Sequence, residues 1–380
     1  MEAATNSLLE NGKKVGADSW QQRVKNQTPH CGFGESGTCC RICSMGPCRI
    51  TPKAPRGICG CDVHGIVGRN FLRFTAGGSA THSDHGREIM HSLYQAKEGG
   101  NYQVKDPEKL LRIAKEWGVE TEGKDIYDLA HEMAEIGLLE YGKPFGTQRF
   151  LKRAPEHTQK LWHDAGIEPR AIDREVATAL HMTHMGNSSL PEALVRQALR
   201  CGLSDGWGGS MMGTEFSDVM FGTPKPVDST ANIGVMEKDN VNIVVHGHDP
   251  SLSEMIVYWA NDPEMIAYAK SMGAKGITIS GVCCTANEVA MRHGIPMAGN
   301  FLSQENVVLT GACEAIVVDV QCIFPALGPL SKCFHTKFIT TSPICRMPDS
   351  EFIQFSAENA GENAKAIVKM AIENFKNRDQ

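Results

Sequence analysis

Apolar and polar positions follow two different rhythms along the chain, and the change falls near residue 225. Before it, apolar residues recur at helical spacing over 63–74, 82–97, 106–117, 126–141, 173–185 and 190–203, with a short helix near 20–25. The 106–117 segment opens on Asp106-Pro107, with proline at the first helical position and Glu108 in the first turn. Ala76-Gly77-Gly78-Ser79-Ala80 reads as a break between the first two helices. Beyond Gly222-Thr-Pro-Lys-Pro, short β-branched runs at 241–245, 276–280, 315–318 and 337–341 alternate with helical stretches at 250–273, 285–293 and 357–375. That alternation predicts a parallel sheet with helices on its faces. The fold class is therefore α followed by α/β. A helical domain spans 1–224 and carries a cysteine loop at 31–61, and a doubly wound domain spans 225–380.

Composition narrows the function. A chain of 380 residues that is 41% hydrophobic can bury sizeable cores. A net charge of −6 without a basic run argues against nucleic acid and anionic membranes as partners. No apolar run reaches the roughly 18–20 residues of a membrane span. The first residues lack the basic flank and apolar stretch of a signal peptide, so the expected location is cytoplasmic.

Fourteen cysteines in a reducing compartment are not expected to form disulfides. Cys201, Cys313, Cys333 and Cys345 stand alone and read as packing residues. The cluster at 31, 39, 40, 43, 48, 59 and 61, threaded with glycine and proline, points instead to soft metal ligation. Zinc sites commonly pair Cys-x-x-Cys units about 15–20 residues apart. Only Cys40 and Cys43 form such a unit, which favours iron–sulfur over zinc. Adjacent residues in extended chain point to opposite sides, so Cys39 and Cys40 should serve two centres. Cys40, Cys43, Cys48 and Cys59 would complete one [4Fe–4S] cluster. Cys31 and Cys39 are then two thiols where a cluster needs four, and a two-fold partner could supply the others.

A second constellation lies in the α/β half. His248 ends one strand segment, Cys284 follows another and Cys322 a third, all near the carboxyl edge where open parallel sheets bind ligands. His82, His85 and His91, with Glu88 between them, recur at multiples of three on one helix and are expected roughly on one face. Spacing alone makes that stripe a solvated polar face.

Cys31-x7-Cys39-Cys40-x2-Cys43-x4-Cys48, with Gly-Pro-Cys-Arg-Ile and Gly-Ile-Cys-Gly, closely resembles the anaerobic nickel–iron carbon monoxide dehydrogenase catalytic subunit. His-Gly-His-Asp-Pro, Cys-Cys-Thr-Ala-Asn-Glu-Val and Val-Asp-Val-Gln-Cys-Ile extend the likeness to residues 30–375. The resemblance implies an iron–sulfur-bearing helical domain followed by a Rossmann-like domain. Cys31 and Cys39 would hold the D cluster shared across a homodimer. Cys40, Cys43, Cys48 and Cys59 would hold the B cluster, with Cys61 an extra thiol that competes with Cys59 for the fourth place. His248, Cys284 and Cys322 would hold part of the nickel–iron–sulfur C cluster, with Cys283 a neighbour. His82 would be the catalytic base, supported by Asp205, with His85 and His91 as proton relay and Glu88 where relatives carry another histidine. The implied reaction is reversible oxidation of CO with water to CO2, two protons and two electrons. The electrons would leave to a ferredoxin-like acceptor, and an acetyl-CoA synthase subunit is a further possible partner.

Relatives continue past the point matching Gln380 with three more cluster cysteines and a lysine. The expectation is therefore a truncated, split or recoded subunit. Two rival readings stand beside it: a hybrid-cluster, hydroxylamine reductase-like enzyme, and a non-catalytic electron-transfer fragment.

Overall fold

The α/β half is built on β-branched runs that bury every residue of the central strand, Val241–Gly247. We describe residues 3–378 from a computed structural model. The strands are β1 (Val241–Gly247), β2 (Ile277–Val282), β3 (Met297–Gly299), β4 (Ala315–Val318), β5 (Lys337–Thr340) and β6 (Glu351–Phe352). They form one six-stranded sheet in the order β3-β2-β1-β4-β5-β6, parallel throughout. β1 pairs with β2 from Val241↔Ile277 to His246↔Val282, and with β4 from Ile243↔Ala315 to His246↔Val318. The direction of strand succession therefore reverses between β1 and β4, and the carboxyl ends at such a reversal are where open parallel sheets bind ligands. β3 and β6 were not foreseen, because three- and two-residue edge strands carry almost no alternation to read.

The chain divides into two compact units. One comprises residues 3–26, 95–106 and 217–378, and the other comprises 27–94 and 107–216. In the first, the amide of Trp20 donates to Glu305 at 2.8 Å and its indole to the Leu302 carbonyl at 2.9 Å. Tyr102 Oη likewise donates to the Ser251 carbonyl at 3.2 Å. The expected helix over 250–273 is two helices, Pro250–Ala260 and Pro263–Ser271. Asp262 caps the second by accepting from the amides of Glu264 and Met265, and Pro263 takes its first position. Among the described residues no helix is long and apolar enough to cross a membrane.

The second unit packs around one helix, Val63–Tyr94, where a break was expected at 76–80. Gly77 and Gly78 cost helix propensity, roughly 1 kcal/mol each. Their neighbours Ala76 and Ser79 are buried, and Leu72 and Ala76 join Ala179, Leu194, Ala198 and Cys201 in one apolar cluster. Ser79 Oγ donates to the Cys201 carbonyl at 3.0 Å. Tertiary packing thus outweighs local propensity. Cys201, Cys313 and Cys345 are buried as expected of packing residues, whereas Cys333 is exposed.

Candidate metal and proton-transfer sites

In the second unit, residues 39–40 and 48–49 form a two-rung antiparallel ribbon, with Cys39 opposite Arg49 and Cys40 opposite Cys48. Side chains directly opposite share a face. Cys40 and Cys48 therefore face one way, and Cys39 the other. Cys40, Cys43, Cys48, Cys59 and Cys61 line one cavity together with Ile66, Arg69 and Met185, and Cys39 and Cys31 are not among its lining residues. The loop closes tightly here. A Cβ on Gly46 would lie 3.1 Å from the Cys48 amide nitrogen and 3.2 Å from the Cys40 carbonyl oxygen. The amide of Ile58 donates to Cys48 Sγ at 3.4 Å, the kind of bond that tunes iron–sulfur centres.

Cys59 and Cys61 differ. The Cys61 amide holds the Cys59 thiol below its ordinary range against the effect of burial, with a smaller contribution from Arg69. Burial pushes Cys61 up, and its sulfur donates to the Asp62 carbonyl at 3.7 Å. A Cβ on Gly65 would come within 2.7 Å of that sulfur. The thiolate is the form that binds metal. Cys31, fully exposed, is also held low, by the amides of Gly34 and Phe33.

The long helix also carries the histidines. His82 Nδ1 lies 2.6 Å from Asp205 Oδ1, and Ser210 Oγ donates to the same oxygen at 3.2 Å. The bond to Asp205 raises His82 above the ordinary histidine value, against the effect of its burial. Asp205 opens the segment Asp205–Ser210, wound as a π-helical turn between two α-helices. Such turns recur at functional sites. Its glycines permit close approach: a Cβ on Gly209 would sit 2.9 Å from both the carbonyl carbon and oxygen of His82.

The single histidine face is corrected. Steps of three residues at 100° each fall 60° short of a turn, so His91 lies half a turn from His82. His82 and His85 are half-buried, whereas Glu88 and His91 are exposed. His85 packs against the helix Met211–Phe221, its Cε1 3.7 Å from where a Cβ of Gly213 would be.

In the sheet-bearing unit, His248 follows β1 and Cys322 follows β4, the two strands flanking the order reversal. Cys283 and Cys284 follow β2 directly. Cys283, Gln321 and Cys322 adopt left-handed backbone, with φ of 68°, 69° and 62°. Non-glycine residues held there store strain, which concentrates at functional sites. No sequence pattern signals it. Asp319 receives the amides of His248 at 2.7 Å and Asp249 at 2.9 Å, which ties the β1 and β4 loops together.

Burial pushes Asp249 up to about 6, and pushes Asp319 well above the carboxylate range. Burial, then the neighbouring Cys322, raises Cys283 to about 12 and also raises Cys284. A bound cation would favour the charged forms of all these donors. Among the described residues no three His, Cys, Asp or Glu side chains converge on a single metal-ion position.

A profile of the Prismane/CO dehydrogenase family matches residues 38–380. Carbon monoxide dehydrogenase 1 of Methanosarcina mazei is 48% identical over 100% of this chain and 61% of its own length. A nickel-free crystal structure of carbon monoxide dehydrogenase from Thermococcus sp. AM4 superposes with a TM-score of 0.95 at 48% identity, covering 98% of this chain and 60% of that one. A structure of acetyl-CoA synthase/carbon monoxide dehydrogenase superposes with a TM-score of 0.95 at 40% identity, covering 99% and 56%. The chain thus spans about three fifths of the length of the curated relatives it matches. With its cysteine loop, strand-edge donors and a family match over residues 38–380, the chain belongs to the Prismane/CO dehydrogenase family.

Proposed function

We propose that this chain is part of an anaerobic carbon monoxide dehydrogenase that interconverts CO and CO2. The observation that carries this reading is the placement of His248 and Cys322 at the order reversal of the sheet, in a chain matched along its length by enzymes of that name. His248, Cys284 and Cys322 are the donors this chain would give to a nickel–iron–sulfur C cluster. Cys40, Cys43, Cys48 and Cys59 would hold a [4Fe–4S] B cluster, and Cys61, turned into packing against Gly65, would not be a ligand. Cys31 and Cys39 would share a D cluster with a second copy of the chain. When bound, these groups supply the two-electron oxidation of CO by water and carry the electrons toward a ferredoxin-like acceptor.

The chain's own residues manage the protons. Asp205 fixes the His82 ring through Nδ1, so Nε2 is the atom that takes the proton. The carboxylate then stabilises the imidazolium it has helped to form. Ser210 keeps Asp205 in place. His85 and His91, winding round the same helix, would pass the proton outward. We assign the sheet-bearing part to the Rossmann-like, doubly wound class, following a helical iron–sulfur domain, and the protein to the cytoplasm, and an acetyl-CoA synthase subunit is a partner consistent with one structural neighbour.

The homodimer has its own support. Asn70 donates to the carbonyls of Gly37 and Cys39, tying the Cys39 loop to the long helix. Val67, Phe71 and Phe74 recur at i, i+4 and i+7 on that helix and are exposed. Anaerobic reconstitution of the chain with iron and sulfide tests the reading. Two B clusters and one shared D cluster at four irons each predict roughly twelve irons per dimer. Four irons on a monomer would remove the shared cluster, and none would remove both. CO oxidation by the full-length enzyme, abolished by His248→Ala, tests the C cluster.

A further inference from the structure

Arg69 sits in the long helix with only 3% of its surface exposed and lines the cavity of five thiols. A buried guanidinium normally has a carboxylate beside it, because an uncompensated charge costs several kcal/mol away from water. Arg69 has none: among the described residues no Asp or Glu is ion-paired to it. Its Nε donates to the Ser188 carbonyl at 2.9 Å, which holds the side chain in place and supplies no charge. The groups its charge acts upon are the thiols of Cys59 and Cys61. The anion this arginine is built to face is therefore sulfur-based.

We propose that Arg69 is the charge partner of the cluster held by Cys40, Cys43, Cys48 and Cys59, and that it raises that cluster's reduction potential. Four thiolates on a cubane leave a net negative charge, and one-electron reduction adds another without a proton. A fixed cation a few ångströms away favours the more negative, reduced form, and does so strongly where water is excluded. Arg69 would thus act through electrostatics, without ligating iron. The inference rests on reading this loop as a cluster site.

The test uses the reconstituted chain in a Cys31→Ser, Cys39→Ser background, so that only the cavity's cluster is read. Iron is counted, and the cluster is titrated with dithionite under electron paramagnetic resonance. Arg69→Gln should keep four irons per chain while the reduced-to-oxidised ratio at a fixed potential falls about tenfold, which is 59 mV for a one-electron couple. Arg69→Lys, which keeps the charge, should recover most of that shift. Four irons with an unchanged potential in Arg69→Gln would overturn the proposal, as would a Lys variant displaced as far as the Gln variant. If Arg69→Gln loses its iron, retention by Arg69→Lys supports the charge partnership and loss in both overturns it. A parent chain that takes up no iron defeats the reading of the loop itself, and the two failures are thereby told apart.

Discussion

Substituting Gly209 tests whether the contact between the long helix and the π-helical turn builds the acid–base pair. A Cβ there would fall 2.9 Å from the His82 carbonyl carbon, 2.9 Å from its oxygen and 2.9 Å from Ile172 Cδ1. Ile172 can turn aside, but the helix backbone cannot, so Gly209→Ala must separate the two elements. Overpacking of this kind costs about 1–3 kcal/mol, and a backbone obstacle puts it in the upper half, about 2–3. For a unit of this size that lowers the melting temperature by roughly 4–12 °C. Gly206 in the same turn is the control, because a Cβ there meets nothing within 4 Å. Gly206→Ala should be neutral, or stabilising by up to about 1 kcal/mol. Calorimetry of the two variants decides the first half of the argument. The second half is read from the His82 ring signals by nuclear magnetic resonance. As the helix backs away, Asp205 loses its hold and the His82 pKa falls toward the ordinary histidine value. Equal melting of the two variants, or an unmoved His82 titration in Gly209→Ala, would refute the reasoning.

Three further outcomes are expected. In the full-length enzyme proposed above, Asp205→Asn removes the group that raises His82. The base is then neutral at lower pH but weaker, so the rising limb of CO oxidation shifts to lower pH and its plateau drops; an unmoved limb would exclude the pairing. Glu175, wholly buried, is pushed up by burial, but hydrogen bonds from Arg170, Arg200 and Gln197 outweigh this and bring it to about 2. Because its folded pKa is depressed, its stabilisation is present above the unfolded value near 4.5 and is lost as pH falls from there toward 2. Glu175→Gln should cost about 2–3 kcal/mol at neutral pH, discounted for the partly exposed arginines, and flatten that acid limb in urea titrations. Cys59→Ser should cost the chain four irons per subunit on reconstitution, whereas Cys61→Ser should keep them and only lower the melting temperature.

How far the sequence discloses this structure depends on how local each cause is. β1, β2, β4 and β5 were legible because a buried parallel strand needs a β-branched run, and each has one. Cys39-Cys40 was legible for a similar reason: two adjacent thiols in extended chain face opposite ways whatever surrounds them, and the ribbon puts them there. The helix across Gly77-Gly78 was not, since the packing of Ala76 and Ser79 against residues about a hundred positions later has no local trace. Nor could spacing disclose the left-handed backbone at Cys283, Gln321 and Cys322, because loop geometry at the sheet edge imposes it on residues that do not prefer it. His82 and Asp205, 123 positions apart, were coupled through family resemblance alone, and their 2.6 Å contact gives that coupling a physical basis.

The uninterrupted helix changes what the second unit can do. Asn70 and Arg69 address the cysteine loop from one part of it, and His82 meets Asp205 further along. Twelve residues separate Asn70 from His82, about 18 Å along the axis at 1.5 Å per residue. A break at 76–80 would have left a hinge between the cysteine loop proposed to carry electrons and the pair proposed to carry protons, and their separation would have varied with every loop fluctuation. A continuous helix packed on Ala179, Leu194, Ala198 and Cys201 is a strut instead. It holds the proposed electron exit and proton exit at a fixed spacing. Gly77→Pro is therefore the substitution to make, since proline within a helix costs about 3 kcal/mol or more and kinks it. Hydrogen exchange at the amides of 78–82 should rise, and His82 should lose Asp205 while Cys40 and Cys48 keep their pairing. If the His82 titration were unchanged in that variant, the strut would be irrelevant to the acid–base pair, and the π-helical turn alone would be setting its geometry.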